Sequence, residues 1–164
     1  MTNLLSKNRI WRESGFVALV VAAAFIGISL YSYNPGDPGF HHYVPPNARR
    51  SIHNLVGLVG AYLSDGLLQA LGLASYLIPA FLVLLAVRLT YSCTPWLEWQ
   101  DIVVFLLLLP FSSALIHVLT PARNVTESGG LLGRQISMFF IDRMDRTGSI
   151  LVLAALIFTA FAAA

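Results

Sequence analysis

Four stretches of the chain are apolar enough and long enough to cross a membrane as helices. Three of them are well bounded and cover residues 15–33, 102–119 and 148–164, without a single Asp, Glu, Lys or Arg. A transmembrane helix needs about 20 mainly apolar residues, within a range of about 17–25. The pattern therefore predicts one membrane span in each of these three stretches.

The remaining apolar stretch, residues 54–90, is too long for one straight helix. At about 1.5 Å per residue it would reach about 55 Å, whereas the hydrocarbon core is about 30 Å thick. Because glycine disfavours a continued helix and tolerates unusual dihedral angles, we expect a break at Gly72. We therefore predict an interfacial helix over 55–71 and the second span over 73–89, with a kink at Pro79.

The predicted helix 55–71 carries a strip of small residues. They recur at intervals of three and four positions, so they share one helical face. Small residues let helices approach closely in a membrane, where lipid supplies no hydrophobic drive for association. We predict that this face packs against another helix and that Val59 lies on the opposite, lipid-like face. The strip consists of Gly57, Gly60, Ala61 and Ser64.

The segment between the third and fourth spans has an amphipathic middle. Its apolar residues fall on one side of a helix and its polar residues on the other. We interpret residues 130–144 as a second interfacial or re-entrant helix, which begins at Gly129-Gly130. The apolar side holds Leu132, Ile136, Phe139 and Phe140, and the polar side holds Arg134, Gln135, Asp142 and Asp145.

These elements predict an all-α integral membrane domain of four transmembrane helices and two interfacial helices. Residues 1–14 form a cytoplasmic N-terminal segment, and residues 15–164 form the transmembrane domain. An even number of spans puts both ends on one side of the membrane, and three basic residues before the first span favour the cytoplasm for that side. Because the last span reaches Ala164 with no polar flank, we expect a longer protein that continues past this residue.

The composition supports a chain that is surrounded by lipid. Hydrophobic residues make up 57% of it and charged residues only 11%, against about 25% charged in soluble domains. The net charge of +2 is too balanced for a nucleic-acid-binding surface. We therefore expect the lipid bilayer to be a partner and expect no direct nucleic-acid contact by this chain.

Two single residues exclude whole classes of site. Lys7 is the only lysine, and no glycine precedes it, so the chain cannot contain a complete phosphate-binding P-loop. Cys93 is the only cysteine, so neither an intrachain disulfide nor a cysteine metal cluster is possible. We expect no cofactor in this chain.

The remaining polar clusters favour ordinary surface roles. His41, His42 and His53 lie in a loop rich in proline and glycine, and adjacent histidines rarely converge on one metal ion, so we interpret them as solvated. Glu98 and Asp101 flank Trp99 and Gln100, which is typical of a turn at the level of the lipid headgroups. We expect no catalytic residue, no cofactor-binding residue and no metal ligand.

Asp65 is the most unusual charge, because an acidic residue in an apolar segment is costly and often functional. A proton relay would need a partner at membrane depth, for which His117 is the only candidate. We favour the alternative that Asp65 caps or pairs at a water-exposed interface.

A small transporter or channel subunit is the alternative to an anchor. It would require convergent polar residues at membrane depth, whereas the first and fourth spans carry no charge. An intramembrane enzyme is disfavoured further, since paired catalytic residues are lacking.

Several motifs resemble, in order and spacing, the four-helix N-terminal domain of FtsK/SpoIIIE-type DNA translocases. The first is a loop of the pattern S-Y-x-P-x-D-P followed by an aromatic residue, and the second is an N-x-x-G-x-x-G-A-x-x-x-D run. The start of the second span also matches, and so does a G-G-x-x-G motif before the fourth span. The resemblance covers about residues 15–164. The matching residues are Tyr33, Pro35, Asp37, Pro38, Asn54, Asp65, Gly72, Tyr76, Pro79, Gly129, Gly130 and Gly133.

The resemblance implies a membrane domain that tethers a bacterial cell-division protein at the septum of the inner membrane and contacts other division proteins. It also implies a cytoplasmic linker and an ATP-driven DNA motor beyond this chain, through which copies assemble as a hexamer and which moves chromosomes during division. ATP and DNA binding are therefore expected of the parent protein and not of this chain.

Overall fold

The computed structural model describes residues 2–40, 52–91, 99–120 and 124–162, and every regular element in these ranges is helical. The predicted all-α fold class is thus confirmed, with four helical segments long and apolar enough to cross a membrane. They are Trp11–Tyr31, Gly57–Thr90, Ile102–Leu119 and Gly130–Ala162. The helices are α1 (Thr2–Tyr31), α2 (Gly57–Leu71), α3 (Leu77–Tyr91), α4 (Trp99–Leu119) and α5 (Gly130–Ala162), with short 3₁₀ turns at Gly72–Tyr76 and Val125–Glu127.

The long apolar segment breaks at Gly72, as predicted. Gly72 has φ 60° and ψ −139°, and its positive φ ends α2 at Leu71. The chain then passes through the 3₁₀ turn Gly72–Tyr76 before α3 begins. Pro79 is the third residue of α3. A proline in this first turn removes no intrahelical hydrogen bond, so the break in the segment lies at Gly72, and a kink at Pro79 stays a prediction.

The last helix also consists of two parts. Asp145 has φ 59° and ψ 174°, which no helical residue adopts, so the helix is broken there. We call the part before it α5a (residues 130–144) and the part after it α5b (residues 146–162). The break lies between the predicted interfacial helix 130–144 and the predicted span 148–164; residues 163 and 164 lie outside the described residues.

Helices α1 and α3 run antiparallel and are joined at both ends. At one end, the Arg12 side chain donates hydrogen bonds to the carbonyl oxygens of Leu89 and Thr90, at 3.0 and 2.9 Å. These carbonyls belong to the last turn of α3 and have no partner within an ideal helix. At the other end, the Tyr76 hydroxyl donates to the Leu30 carbonyl oxygen at 3.0 Å.

Helices α4 and α5b form a second antiparallel pair. Ala114 and Val118 of α4 pack against Leu153 of α5b in a buried apolar cluster. The Arg146 side chain donates to the Val118 carbonyl oxygen at 3.0 Å. Helix α4 continues through Pro110, the proline that lies inside it.

The two pairs meet mainly through α2 and the 3₁₀ turn Gly72–Tyr76, which contact α5 and α4, and also through ring stacking between α3 and α4. The rings of Phe81 and Phe105 are stacked with centroids 3.7 Å apart and planes within 5° of parallel. Leu71, Ala74 and Leu109 form a buried apolar cluster beside them. Together these contacts join the two helical pairs into one bundle.

Candidate functional site

Three residues of the predicted small-residue strip are buried at the start of α2. A Cβ atom on Gly60 would collide with Asn54 Oδ1 and lie 3.0 Å from Ser29 Oγ of α1. Ala61 is 3% exposed, and Ser64 is fully buried. The face formed by Gly60, Ala61 and Ser64 therefore packs closely against the end of α1.

Gly57 has a different role from the other members of the strip. It is the first residue of α2 and has φ +73°. Among the described residues, no atom outside its two chain neighbours and the nearby backbone of its own helix lies within 4 Å of the position that a Cβ on Gly57 would occupy. Its contribution is a left-handed backbone conformation, which glycine adopts without steric cost, and not close packing.

Asn54 connects the end of α1 with the start of α2. Its buried side-chain amide donates to the carbonyl oxygens of Ser29 at 2.8 Å and Ser32 at 3.4 Å. Its side-chain oxygen accepts the backbone N–H of Val56 at 3.0 Å. Carbonyls at a helix C-terminus and N–H groups at an N-terminus lack intrahelical partners, so one side chain satisfies groups from both helices.

Asp37 fixes the returning chain just before Asn54. Its carboxylate accepts the backbone N–H groups of His53 at 3.0 Å and Asn54 at 2.8 Å, and it lies 3.1 Å from His53 Nδ1. Burial by itself would raise the pKa of Asp37, but the hydrogen bonds from His53 and Asn54 outweigh it and lower the pKa below its ordinary value of 3.8. The folded state therefore favours the ionised form of the Asp37 carboxylate.

Asp65 of α2 holds the loop that follows α1. It is 6% exposed and accepts the backbone N–H of Phe40 at 2.8 Å. The pKa of Tyr33 is raised, first by burial and then by the charge of Asp65 and a hydrogen bond to it. Asp65 thereby binds both ends of the loop 33–40, in which Pro38 is buried and Pro35 exposed.

The hydrogen bonds described for Asp65 and for His117 go to different partners. His117 Nδ1 of α4 lies 3.3 Å from Ser128 Oγ, whereas Asp65 contacts the loop after α1. Asp65 pairs with a backbone N–H group, in line with a capping or pairing role, but its 6% exposure shows that it is buried and does not lie at a water-exposed interface. In the part of the chain that the structure describes, every buried side-chain nitrogen or oxygen has a hydrogen-bond partner. The buried side chains of Asn54, Asp37 and Asp65 use these bonds to hold backbone groups of the chain in place.

The remaining glycines of the motifs form a second close contact, between the end of α2 and the start of α5a. The backbone N–H of Leu73 donates to the Ser128 carbonyl oxygen at 2.8 Å. A Cβ on Gly72 would collide with that oxygen and with the Gly130 nitrogen, and a Cβ on Gly130 would collide with the Ala70 carbonyl group. Here one backbone touches another, which only glycine permits.

Gly129 and Gly133 make the same kind of contact with α4. A Cβ on either residue would collide with the carbonyl oxygen of Ser113, and Ser113 Oγ donates to the Gly129 carbonyl oxygen. The sequence did not predict the serines that contact the motif glycines, which are Ser29 against Gly60, Ser128 against Gly72, and Ser113 against Gly129 and Gly133. For Ser29 and Ser113, the available sequence signal was a serine within an otherwise apolar helix.

The remaining polar clusters give no evidence of a metal centre. His41, His42 and Glu98 lie outside the described residues, as does the side chain of Asp101. His53 is occupied with Asp37. Across residues 2–40, 52–91, 99–120 and 124–162, no group of three or more His, Cys, Asp or Glu side chains is placed to hold a metal ion.

Comparison with known proteins gives one consistent result. Residues 8–164 match the family described as the 4TM region of DNA translocase FtsK/SpoIIIE. The chain is 28% identical over 153 residues to a DNA translocase FtsK of Pseudomonas putida, covering 88% of this chain and 18% of that protein. It is 29% identical over 157 residues to that of Shewanella oneidensis, covering 91% and 17%. A stretch of 67 residues, 41% of this chain and 10% of the relative, is 45% identical to that of Azospirillum brasilense.

No solved structure matches the chain. The chain spans less than a fifth of the length of the first two relatives. The similarity therefore concerns a membrane region of much longer proteins.

Proposed function

The chain belongs to the family of 4TM regions of FtsK/SpoIIIE DNA translocases, and from this membership we propose that it anchors such a translocase in the bacterial inner membrane at the division septum. The chain is a multi-pass membrane protein. The observation that carries the proposal is the match of residues 8–164 to this membrane region alone. The buried hydrogen-bond networks of Asn54, Asp37 and Asp65 support a rigid anchor, because they bind backbone groups of this chain.

The relatives' name supplies the activity that the anchor serves. They are DNA translocases, and the chain covers less than a fifth of the first two. We propose that the parent protein carries an ATP-driven DNA motor outside this region and couples chromosome segregation to division. Its motor would gather copies of the anchor as a hexamer, and membrane proteins of the division machinery would be its partners.

Both ends of the anchor are proposed to face the cytoplasm, where DNA lies. The antiparallel pairs α1–α3 and α4–α5b support this orientation, since two pairs return the chain to the side from which it entered. The basic residues Lys7, Arg9 and Arg12 before the first span favour the cytoplasm for that side. A small transporter or channel subunit remains the alternative, and the structural use of the buried polar side chains argues against it.

A fluorescent fusion after Ala164 in a dividing bacterium tests the proposed function. We expect a band at mid-cell that appears with constriction and persists when the fusion consists of this chain alone. A variant with Asn54→Ala and Asp65→Ala, which removes the anchoring networks, should lose the band in proportion to its loss of folded protein. Uniform fluorescence of the whole envelope from a folded wild-type chain contradicts septal targeting.

A further inference from the structure

Helix α2 has its polar side chains on the inside and its apolar side chains on the outside. Asp65 is the only charged residue of the helix and is buried, as is Ser64. On the opposite face, Val59 is 67% exposed, and Leu55, just before the helix, is 75% exposed. A helix that lies between lipid and water turns a polar face to the water. The outer face of α2 has no such polar surface.

Helix α5a has the same length as α2 but a different outer face. Its exposed residues include Arg134, Gln135, Asp142 and Arg143. Charged and amide side chains of this kind suit water or lipid headgroups. The contrast indicates that the two short helices have different surroundings.

The loop that follows α1 covers one flank of α2. Asp65 accepts the backbone N–H of Phe40 at 2.8 Å, and a hydrogen bond links it with Tyr33 at the other end of the loop. The Phe40 ring meets the Tyr62 ring edge to face, with centroids 5.3 Å apart, and lies close to Gly66. Because this loop directly continues a membrane span, the flank of α2 that it covers is the one nearer to the membrane surface.

A shallow groove runs between the loop and the open part of α2. None of its lining residues is charged, and all but the hydroxyl group of its tyrosine is apolar. A groove with such walls accepts an apolar chain and offers few partners to water. The lining residues are Phe40, Val59, Tyr62, Leu63, Gly66 and Leu67.

The exposed apolar surface continues along the chain from α2 to the neighbouring span. Residues Gly57–Thr90 form one segment that is apolar enough to cross a membrane. Leu73 in the 3₁₀ turn, and Leu77 and Leu84 in α3, are exposed apolar residues like Val59. In a multi-pass membrane protein, such residues on a span contact lipid, and the outer face of α2 has the same character.

We propose that the outer face of α2 is immersed in the membrane, where phospholipid acyl chains cover Val59 and fill the groove beside Phe40, whereas α5a borders on water. Helix α2 is then a re-entrant helix that is held from the inside by its buried polar side chains. A helix can enter hydrocarbon because its backbone groups bond to one another. The inference rests on the membrane location of the chain and not on its proposed role at the septum.

Spin labels on α2 test the proposed surroundings. In a Cys93→Ser background, Val59→Cys is introduced into the full chain, labelled with a nitroxide and reconstituted in phospholipid vesicles. Molecular oxygen concentrates in hydrocarbon and a nickel chelate stays in water, so their collision rates with the nitroxide identify what surrounds it. We expect oxygen to collide several-fold more often than the nickel chelate. The lipid reference is Leu84→Cys, because Leu84 is exposed in the middle of α3 and should give the same ratio.

A matched control places the label at Gln135→Cys, on the exposed side of α5a. Here the nickel chelate should collide more often than oxygen, and thermal unfolding verifies that every labelled variant is folded. Frequent nickel collisions at Val59→Cys indicate a water-covered helix and overturn the proposal. Rare collisions with both reagents indicate that a protein covers this face and overturn it as well. A ratio at Gln135→Cys equal to that at Val59→Cys contradicts the proposed difference between the two helices.

Discussion

Gly57 and Gly60 lie three residues apart in α2, yet glycine is needed at each for a different reason. Gly57 needs its positive φ, whereas Gly60 needs the space that a Cβ would fill. Periodicity alone places both on one face. The distinction depends on where the helix begins, and that start is set by Asn54 and Asp37 through contacts distant in sequence. Sequence reasoning therefore predicted the strip but not the role of its first member.

Gly60→Leu should destabilise the domain by about 1–3 kcal/mol, a typical penalty for overpacking. The physical reason is the closeness of Asn54, Val56 and Ser29, which leave no room even for a Cβ. Gly60→Ala should also destabilise it, although alanine favours helices. Val59→Leu is the control, because Val59 is 67% exposed, and it should melt like the wild type. Thermal unfolding in one detergent compares all four proteins, and a Gly60→Leu variant as stable as wild type contradicts the packing.

Asp37 gives the stability a defined dependence on pH. Its pKa is lowered in the folded state, so the ionised carboxylate stabilises the fold above its ordinary pKa of 3.8, and this contribution is lost as pH falls through the lower folded-state pKa. Asp37→Asn should cost about 1–3 kcal/mol at pH 7, because an amide cannot accept all of these hydrogen bonds. The difference between the melting curves of the two proteins should stay constant from pH 7 down to about pH 4 and should shrink as pH falls below 3.8. A difference that does not shrink argues against the ionised form as its source.

The two breaks in the helices differ in how visible they are in the sequence. Gly72 marks its break by residue type, and its break was predicted. Asp145 also has a positive φ, but its residue type does not indicate a break, since aspartate occurs in both helices and loops. The amphipathic pattern indicated only that α5a and α5b face different surroundings. The exact joint depends on contacts such as that of Arg146 with Val118.

Asp145→Gly should stabilise the domain. The combination of φ 59° and ψ 174° is essentially restricted to glycine and strains other residues by about 1–3 kcal/mol. The hydrogen bond from Ser149 Oγ goes to the backbone carbonyl of residue 145, so the substitution keeps it. Asp142→Gly, inside α5a, is the control and should destabilise by about 1 kcal/mol or less through helix propensity. The unfolding temperatures of the wild type and both variants test this prediction. An unfolding temperature of Asp145→Gly below that of the wild type contradicts backbone strain at Asp145.

Across the whole bundle, apolar length predicted the membrane fold and the number of candidate spans, because hydrocarbon thickness imposes a narrow range on a helix. Which spans would pair could not be predicted. The pairing of α1 with α3 depends on Arg12 and Tyr76, and that of α4 with α5b depends on Arg146 and on small residues such as Ala114. Such contacts leave no periodic mark on the sequence.

Reporter fusions after Thr2 and after Ala164 should both report the cytoplasm. The reason is that two antiparallel helical pairs follow a basic N-terminal segment. A fusion in the loop after α1, for example after Gly36, should report the opposite side and serves as the control. A periplasmic signal from either terminal fusion contradicts the orientation.

The purified chain should neither hydrolyse ATP nor bind duplex DNA. It has one lysine outside any P-loop pattern and a net charge of only +2. Phosphate release and a fluorescence anisotropy titration with a labelled duplex measure the two activities against a detergent blank. Turnover above that blank would show that the chain contains a nucleotide site of its own.

The pairing of α5b with α4 has a mechanical consequence. Under the proposed function, a DNA motor would pull on the end of α5b, and such a pull would act along the axis of that helix. Leu153 packs against Ala114 and Val118, and Arg146 holds the Val118 carbonyl at the far end of the same helix. Sliding α5b along its axis therefore loads these contacts together, in shear, instead of peeling them apart one after another. In the anchor proposed above, tension along α5b would therefore be resisted by all of these contacts at once.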